Sequence, residues 1–202
     1  MGRPSDAREQ LIGAAKEMIH SNSYEAVSVD QLCAAASVGK SSFYHFFSSK
    51  QELVLVALES RWQQFEELVL KPSFSEDLPP QAQLLRLFDL SWRGQQVQLQ
   101  ASGHVRGCPF GNLVLEMSTQ DEAIRTLLTT FFQQWLGYFE RMLREAKKQG
   151  IVAETLDIPV TAQALLAYFE GAMLLAKGRN DPALIRTLRD GALLVMQYQE
   201  AS

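Results

Sequence analysis

Three helix-start signals crowd the first 53 residues, and they restrict the fold more than any other feature of the chain. Asp6-x-x-Glu9, Ser28-x-x-Gln31 and Ser49-x-x-Glu52 each place a short polar residue three positions before an acid or amide. In that pattern one side chain caps the new helix while the other reaches back to the cap. A break at Ser37-Val38-Gly39 separates the second helix from a third piece running from Lys40 to about Phe46. Ala7, Leu11, Ala14, Ala15, Met18 and Ile19 share one face of the first helix, which ends near Ser21, and Leu32 and Ala35 mark the apolar side of the second. Three short helices with a three-residue break before the last have the spacing of a helix-turn-helix module.

The third piece carries the chemistry. Between Asp30 and Glu52 there is no acidic residue, while Lys40, His45 and Lys50 surround Phe43, Tyr44, Phe46 and Phe47. In a helix-turn-helix module the later helix enters the major groove of double-stranded DNA, and its N-terminal residues meet base edges. Lys40, Ser41 and Ser42 hold those places: the lysine brings charge and a donor, the hydroxyls bring adaptable hydrogen bonds, and none is bulky. Tyr44 and His45 follow with polar tips suited to phosphate or base contact, whereas Phe43, Phe46 and Phe47 are expected to plug a small core against Leu32 and Met18. Lys50 opens the next helix, where unpaired N–H groups and the helix dipole favour a phosphate. Ser28 offers a similar hydroxyl at its own helix start, and Arg3, in the arm MGRP, is placed to reach a neighbouring groove. The formal net charge of −4 speaks at first against nucleic acid. Its distribution removes the objection: residues 1–50 hold five Lys/Arg and five Asp/Glu, so the whole excess lies in 51–202, and phosphate contact follows local field.

Beyond this module the periodicity stays helical, so the chain is expected to be all-α. Residues 1–50 are expected to form the helix-turn-helix domain, and residues 51–202 a larger helical domain. A connecting helix at 49–70 and a proline-rich loop at 71–80, KPSFSEDLPP, lead into it. Further helices are expected at about 81–100, 108–117, 120–149, 159–177 and 182–198, with Gly150 ending one and Pro159 and Pro182 in first turns.

The run VSVDQLCAAASVGKSSFYHFFSSKQEL, residues 27–53, resembles the DNA-binding signature of the TetR family of bacterial repressors: two short helices, a K-x-x-x-Y-H-F recognition helix, then S-K-x-x-L. The resemblance implies groove and phosphate contacts at Lys40, Ser41, Ser42, Tyr44, His45 and Lys50, repression as the sign of regulation, and a homodimer formed by the last helices. Two positions depart from the commoner pattern. Ser37 stands where the turn often has glycine, which strains the turn slightly, and Gly39 stands where the cap often has serine, an acceptable exchange.

Residues 160–176, VTAQALLAYFEGAMLLA, contain one charge, Glu170, and their apolar residues cover more than one stripe, so this helix is expected to be buried on two sides. The segment at 182–198 repeats the theme. One side of each faces the chain's own core and the other a second copy, giving a four-helix interface with two-fold symmetry. Such a dimer sets two recognition helices on successive major grooves, so the operator is expected to be roughly palindromic, with half-sites ~34–36 Å or a multiple apart. The middle region is left for a small-molecule effector, with Phe88, Trp92, Cys108, Phe110, Trp135, Phe139, Tyr168 and Phe169 as candidate lining. The run 104–128 also resembles a branch of TetR regulators with a Gly-Cys pair opening a central helix, and in some members of that branch a cysteine here senses electrophiles or oxidants. Free cysteine is among the most commonly buried residues, so a structural role is the first reading for Cys108; its place beside Arg106 and near a helix N-terminus offers the other, a thiol of lowered pKa that is reactive.

An all-α enzyme and a helical adaptor dimer that ignores DNA are the rival functions. His20, His45 and His104 make no E-x-x-H or H-E-x-x-H arrangement, and no phosphate-cradling loop or nucleophile elbow is present, so neither a metal nor a cofactor is expected. No run reaches the ~18 consecutive apolar residues of a membrane span, and MGRPSDAREQ has no apolar signal region. Cys33 and Cys108 are too few and too far apart for a disulfide framework, which agrees with a reducing compartment and a cytoplasmic protein.

Overall fold

The computed structural model describes residues 4–199, with side chains from residue 6 onward. Among these residues every regular element is a helix, as the periodicity predicts. In chain order they are α1 (Pro4–Ser21), α2 (Val29–Ala35), α3 (Lys40–Phe46), α4 (Lys50–Phe65), a π-helical turn (Glu66–Leu70), α5 (Lys71–Ser73), α6 (Pro80–Ser102), α7 (Pro109–Met117), α8 (Glu122–Lys148), α9 (Ile158–Arg179), α10 (Ala183–Leu188) and α11 (Gly191–Met196). The chain divides into two compact units. The smaller comprises Met1–Phe65 with Asn112–Leu128, and the larger Glu66–Gly111 with Thr129–Ser202.

In the smaller unit α1 lies against α2, α3 and α4. Leu11, Leu32, Phe43 and Leu53 are fully buried at its centre, with Phe47, Ala15 and Val27 around them and Met18 and Phe46 on the margin. α4 belongs to this unit because polar ties join it to α1: the Arg61 guanidinium donates to the Lys16 carbonyl at 2.8 Å and pairs with Glu17 at 3.6 Å, and Lys16 Nζ donates to Ser60 Oγ at 3.3 Å. Residues 112–128 join through Gln51, whose amide donates to Asp121 at 2.6 Å, and through Glu116, which accepts the Glu25 N–H at 3.4 Å.

Only one of the three capping boxes forms as drawn from sequence. At α2, Gln31 N–H donates to Ser28 Oγ at 3.2 Å and Ser28 N–H donates to Gln31 Oε1 at 2.8 Å. Asp6 does not mark the start of α1, which already runs from Pro4; it lies inside the first turn, where a negative charge suits the dipole. At α4, Glu52 N–H donates to Ser49 Oγ at 3.1 Å, but the Glu52 carboxylate turns to Ser48, accepting both its N–H and its hydroxyl at 2.7 Å. Those two bonds, hydroxyl first, hold the Glu52 carboxyl below its usual range. The expected loop at 71–80 is shorter than drawn: helical geometry continues through the π turn and α5 to Ser73, and α6 starts at Pro80.

In the larger unit α6, α9, α10 and α11 pack together. Phe88, Trp135, Phe139, Phe110 and Phe169 are its largest buried side chains. The loop between α6 and α7 is held by two amides. Gln95 accepts the N–H groups of Arg106 and Gly107 at 3.0 Å and donates to the Gly107 carbonyl at 3.1 Å. Asn180, the left-handed C-cap of α9, accepts Val105 N–H at 2.7 Å and donates to the Gly103 carbonyl at 3.0 Å. The single helix expected at 182–198 is two, α10 and α11. Tyr168 supplies the reason: its hydroxyl donates to the Leu188 carbonyl at 2.8 Å and occupies the space a Cβ at Gly191 would need. Among the described helices α9 is long and apolar enough by composition to cross a membrane, yet Leu165, Phe169, Ala172 and Met173 are buried inside this chain.

Candidate nucleic-acid interface and ligand-domain interior

The turn before α3 is built as its sequence requires. Ser37 takes the left-handed conformation, φ +55°, a place that glycine fills without strain. Gly39 is the N-cap of α3, in extended conformation and with no side-chain cap bond. This seats Phe43 at 0% exposure while Tyr44, one residue on, is 59% exposed with its ring edge-on to Phe43 at 5.1 Å. Ser41 and His45 are exposed and Ser42 is half-buried, so the first turns of α3 present hydroxyls, a phenol and an imidazole to solvent.

The two lysines are already engaged within the chain. Lys40 is exposed and pairs with Asp30 at 2.6 Å, a bond that raises its pKa. A pair so accessible to water contributes little stability, and a phosphate can take Asp30's place. Lys50 is half-buried: its ammonium donates to the Tyr24 carbonyl at 3.1 Å and lies 3.9 Å from the centre of the Tyr24 ring. An ammonium has three donors, so this anchorage leaves capacity for an anion. Ser28 is exposed, but its oxygen serves Gln31, leaving the hydroxyl proton for an outside acceptor. Arg3 lies outside the described residues.

The eight side chains proposed from sequence for an effector site fall in five settings within the larger unit. Phe88, Tyr168, Phe169 and Trp135 form one ring cluster, with centroids 5.2 Å apart for Phe88–Phe169, 6.2 Å for Phe88–Tyr168 and 5.1 Å for Trp135–Phe169. Phe139 meets Phe74 edge-on at 5.4 Å, and Phe110 meets Phe131 at 5.7 Å. Trp92 lies under the Arg186 guanidinium at 4.9 Å. Cys108 sits apart, against Glu170.

For Cys108 the burial favours the structural reading over the acidic thiol. It is buried, and that burial pushes its pKa well above the ordinary thiol value; the neighbouring Glu170 charge pushes the same way, against N–H contacts from Gly111 and Phe110. Position near a helix start is therefore outweighed by loss of water. Glu170 is pushed up to about 7 by the same burial, and its Oε1 is buried with no hydrogen-bond partner. Gly111 makes room for this carboxyl, since a Cβ there would collide with it. Sequence reasoning singled out Glu170 as the lone charge of an apolar helix but gave it no partner.

A second feature had no forecast. Within the larger unit, residues 74–83 and the end of α8 enclose a cavity of about 430 Å³, lined by Phe74, Leu78, Gln83, Tyr138, Met142 and Glu145 among others. Tyr138 forms one wall, and its hydroxyl donates to Glu66 Oε1, in the π turn, at 2.7 Å. Burial first and Glu66 second drive the Tyr138 pKa up to about 12. None of the eight effector candidates lines this cavity.

Comparison with known proteins places these features in a family. Residues 11–57 match bacterial regulatory proteins, tetR family, and residues 84–192 match tetracyclin repressor-like, C-terminal domain. The chain is 33% identical to the transcriptional regulator AcuR of Cereibacter sphaeroides across 98% of this chain and 93% of that protein. The HTH-type transcriptional repressor DhaR of Mycobacterium sp. (strain GP1) is 26% identical across 84% of this chain and 82% of its own length. The crystal structure of regulatory protein TetR from Rhodobacter sphaeroides matches with a TM-score of 0.81 at 29% identity, covering 96% of this chain and 99% of that one. The chain belongs to the TetR family of bacterial transcriptional regulators. It is a DNA-binding, helix-turn-helix regulator of transcription.

Proposed function

We propose that the protein is a ligand-responsive repressor that binds a palindromic operator as a homodimer and is released when a small molecule occupies the larger unit. The observation that carries the DNA half is the contrast on α3, where a fully buried Phe43 fixes the helix while Tyr44, Ser41 and His45 stand in water. Lys40, Ser41, Ser42, Tyr44 and His45 then meet the groove, and Lys50 and Ser28 meet phosphates beside it. Arg3 would extend the footprint into a neighbouring groove. Dimerisation is assigned to α9, α10 and α11, because Val160, Leu174, Leu175 and Leu194 are large apolar side chains left exposed there. A regulator of this kind works in the cytoplasm, where its DNA is.

Release by a ligand fits the larger unit better than release by thiol chemistry, since Cys108 is buried and held protonated. Selection of bound sites from random DNA tests the reading, with a two-fold repeat as the expected product. Lys50→Ala should weaken all sequences alike and lower the salt slope by about one, whereas Tyr44→Ala should weaken binding in a sequence-dependent way. A chain that selects no DNA, or runs as a monomer at micromolar concentration, ends the proposal. Cys108→Ser separates the two routes of release: equal loss of operator binding in the wild type and the variant after an electrophile removes the thiol from the switch.

A further inference from the structure

The cavity at the end of α8 has no part in the reading so far, and its chemistry is uneven. Phe74, Leu78 and Met142 supply an apolar floor, and Glu76, Glu145 and Arg141 stand around it. Gln83 lines it too and is only 7% exposed. Its amide nitrogen donates to the carbonyls of Ser75 at 3.1 Å and Leu78 at 2.9 Å. Two carbonyl partners fix which way the amide faces, so its oxygen is what this buried side chain has left to offer.

Two carboxylates, Glu76 and Glu145, stand against one guanidinium, Arg141, so the lining carries a net negative charge. The Tyr138 hydroxyl is committed to Glu66, and the Arg141 guanidinium lies on the Tyr138 ring at 4.4 Å. Glu145 takes bonds from Gln149 at 2.9 Å and Lys148 at 3.4 Å, yet a carboxylate accepts about four in all. The Phe74 ring adds to the preference, because an aromatic face attracts positive charge and the Tyr138 face is already taken by Arg141. A volume of about 430 Å³ suits a small organic molecule.

We infer that this cavity binds a small organic ammonium compound, a primary amine on an apolar body, with its N–H groups shared among the Gln83 amide oxygen, Glu76 and Glu145. The body rests on Phe74, Leu78 and Met142. Occupancy reaches the π turn through the Tyr138–Glu66 bond, and this second clause rests on the ligand-responsive reading given above. A π turn is a place where a helix can change register at small expense, and such turns cluster at functional sites.

The test titrates the full-length protein by calorimetry with 2-phenylethylamine, 2-phenylethanol and phenylacetate, three probes alike in size and different in charge. The amine is expected to saturate at least tenfold more tightly than the alcohol, and phenylacetate to bind no better than the alcohol. Glu76→Gln, at an exposed position that leaves the fold alone, and Gln83→Leu should each weaken the amine at least tenfold. The site is overturned if the amine binds no more tightly than the alcohol, if phenylacetate binds best, or if neither substitution changes the amine's affinity. Operator titrations run alongside with and without the amine. Operator affinity that the amine leaves unchanged overturns the coupling, and loss of the amine's effect in Tyr138→Phe with amine binding intact supports it. A wild-type chain that never binds DNA strikes the repressor reading instead, while the amine titration still decides the site.

Discussion

In the helix-turn-helix unit the interior is hydrocarbon, with Leu11, Leu32, Phe43 and Leu53 closed off from water and the polar side chains of α3 outside. The larger unit mixes polar groups into its hydrocarbon interior: among the described residues Ser73, Gln83, Ser91, Gln95 and Thr161 are buried polar side chains, and all five belong to it. Ser91 Oγ and Glu170 Oε1 have no partner at all. Hydrocarbon interiors hold one shape because any void removes contacts, whereas buried polar groups hold shape only through directed bonds and cost free energy where those are missing. A reader of base edges needs the first property. A unit that must respond to a molecule is better served by the second, because unsatisfied groups are where a ligand gains most.

Substitutions can break this comparison. The largest effect is expected from Phe43→Ala, which should cost about 3–5 kcal/mol in urea unfolding, a large part of a domain's stability. Tyr44→Ala, next to it, should stay within about 0.5 kcal/mol. Comparable costs for the two would mean that the small core is not what holds α3.

Glu170→Gln sharpens the other side. An acid whose folded pKa is raised favours the native state fully below its unfolded value of 4.5, and that contribution is lost as pH rises through about 7. The wild type should therefore lose on the order of 3 kcal/mol between those limits relative to the glutamine variant. Cys108 titrates well above this window and stays neutral through it. Parallel stability profiles for the two proteins from pH 5 to 8 would remove Glu170 from the interior.

Gln95→Leu should cost about 2 kcal/mol, because three backbone groups at 106–107 lose the amide they share. Faster amide exchange at Gly107 is the accompanying sign. Ser37→Gly is the smallest, a gain of about 1 kcal/mol in stability from relief of the left-handed turn. A loss there would show that Ser37 makes a compensating contact.

What the sequence disclosed follows the same division. The helix-turn-helix unit was legible because its signals are local: the Ser28 box, the Ser37–Gly39 break and the alternation of Phe43 with Tyr44 each act within a few residues. The Ser49 box was half right, since Glu52 found a nearer pair of donors in Ser48. In the larger unit the helices were legible and their contents were not. Cys108 was read from its neighbours in the chain, whereas its acidity is set first by burial and then by Glu170, 62 positions away in sequence. Neither the Gln95 clamp nor the π turn leaves a local pattern, because each depends on groups distant in the chain. The break between α10 and α11 is of the same kind, with its cause at Tyr168.

That break reaches further than one lost turn of helix. Leu194, 83% exposed on α11, points where it does because a phenol on a different helix steers the chain just before it. The outward aim of the carboxy-terminal leucines is thus set from inside the molecule. A methyl group added at position 191 would meet the Tyr168 hydroxyl and push it off the Leu188 carbonyl.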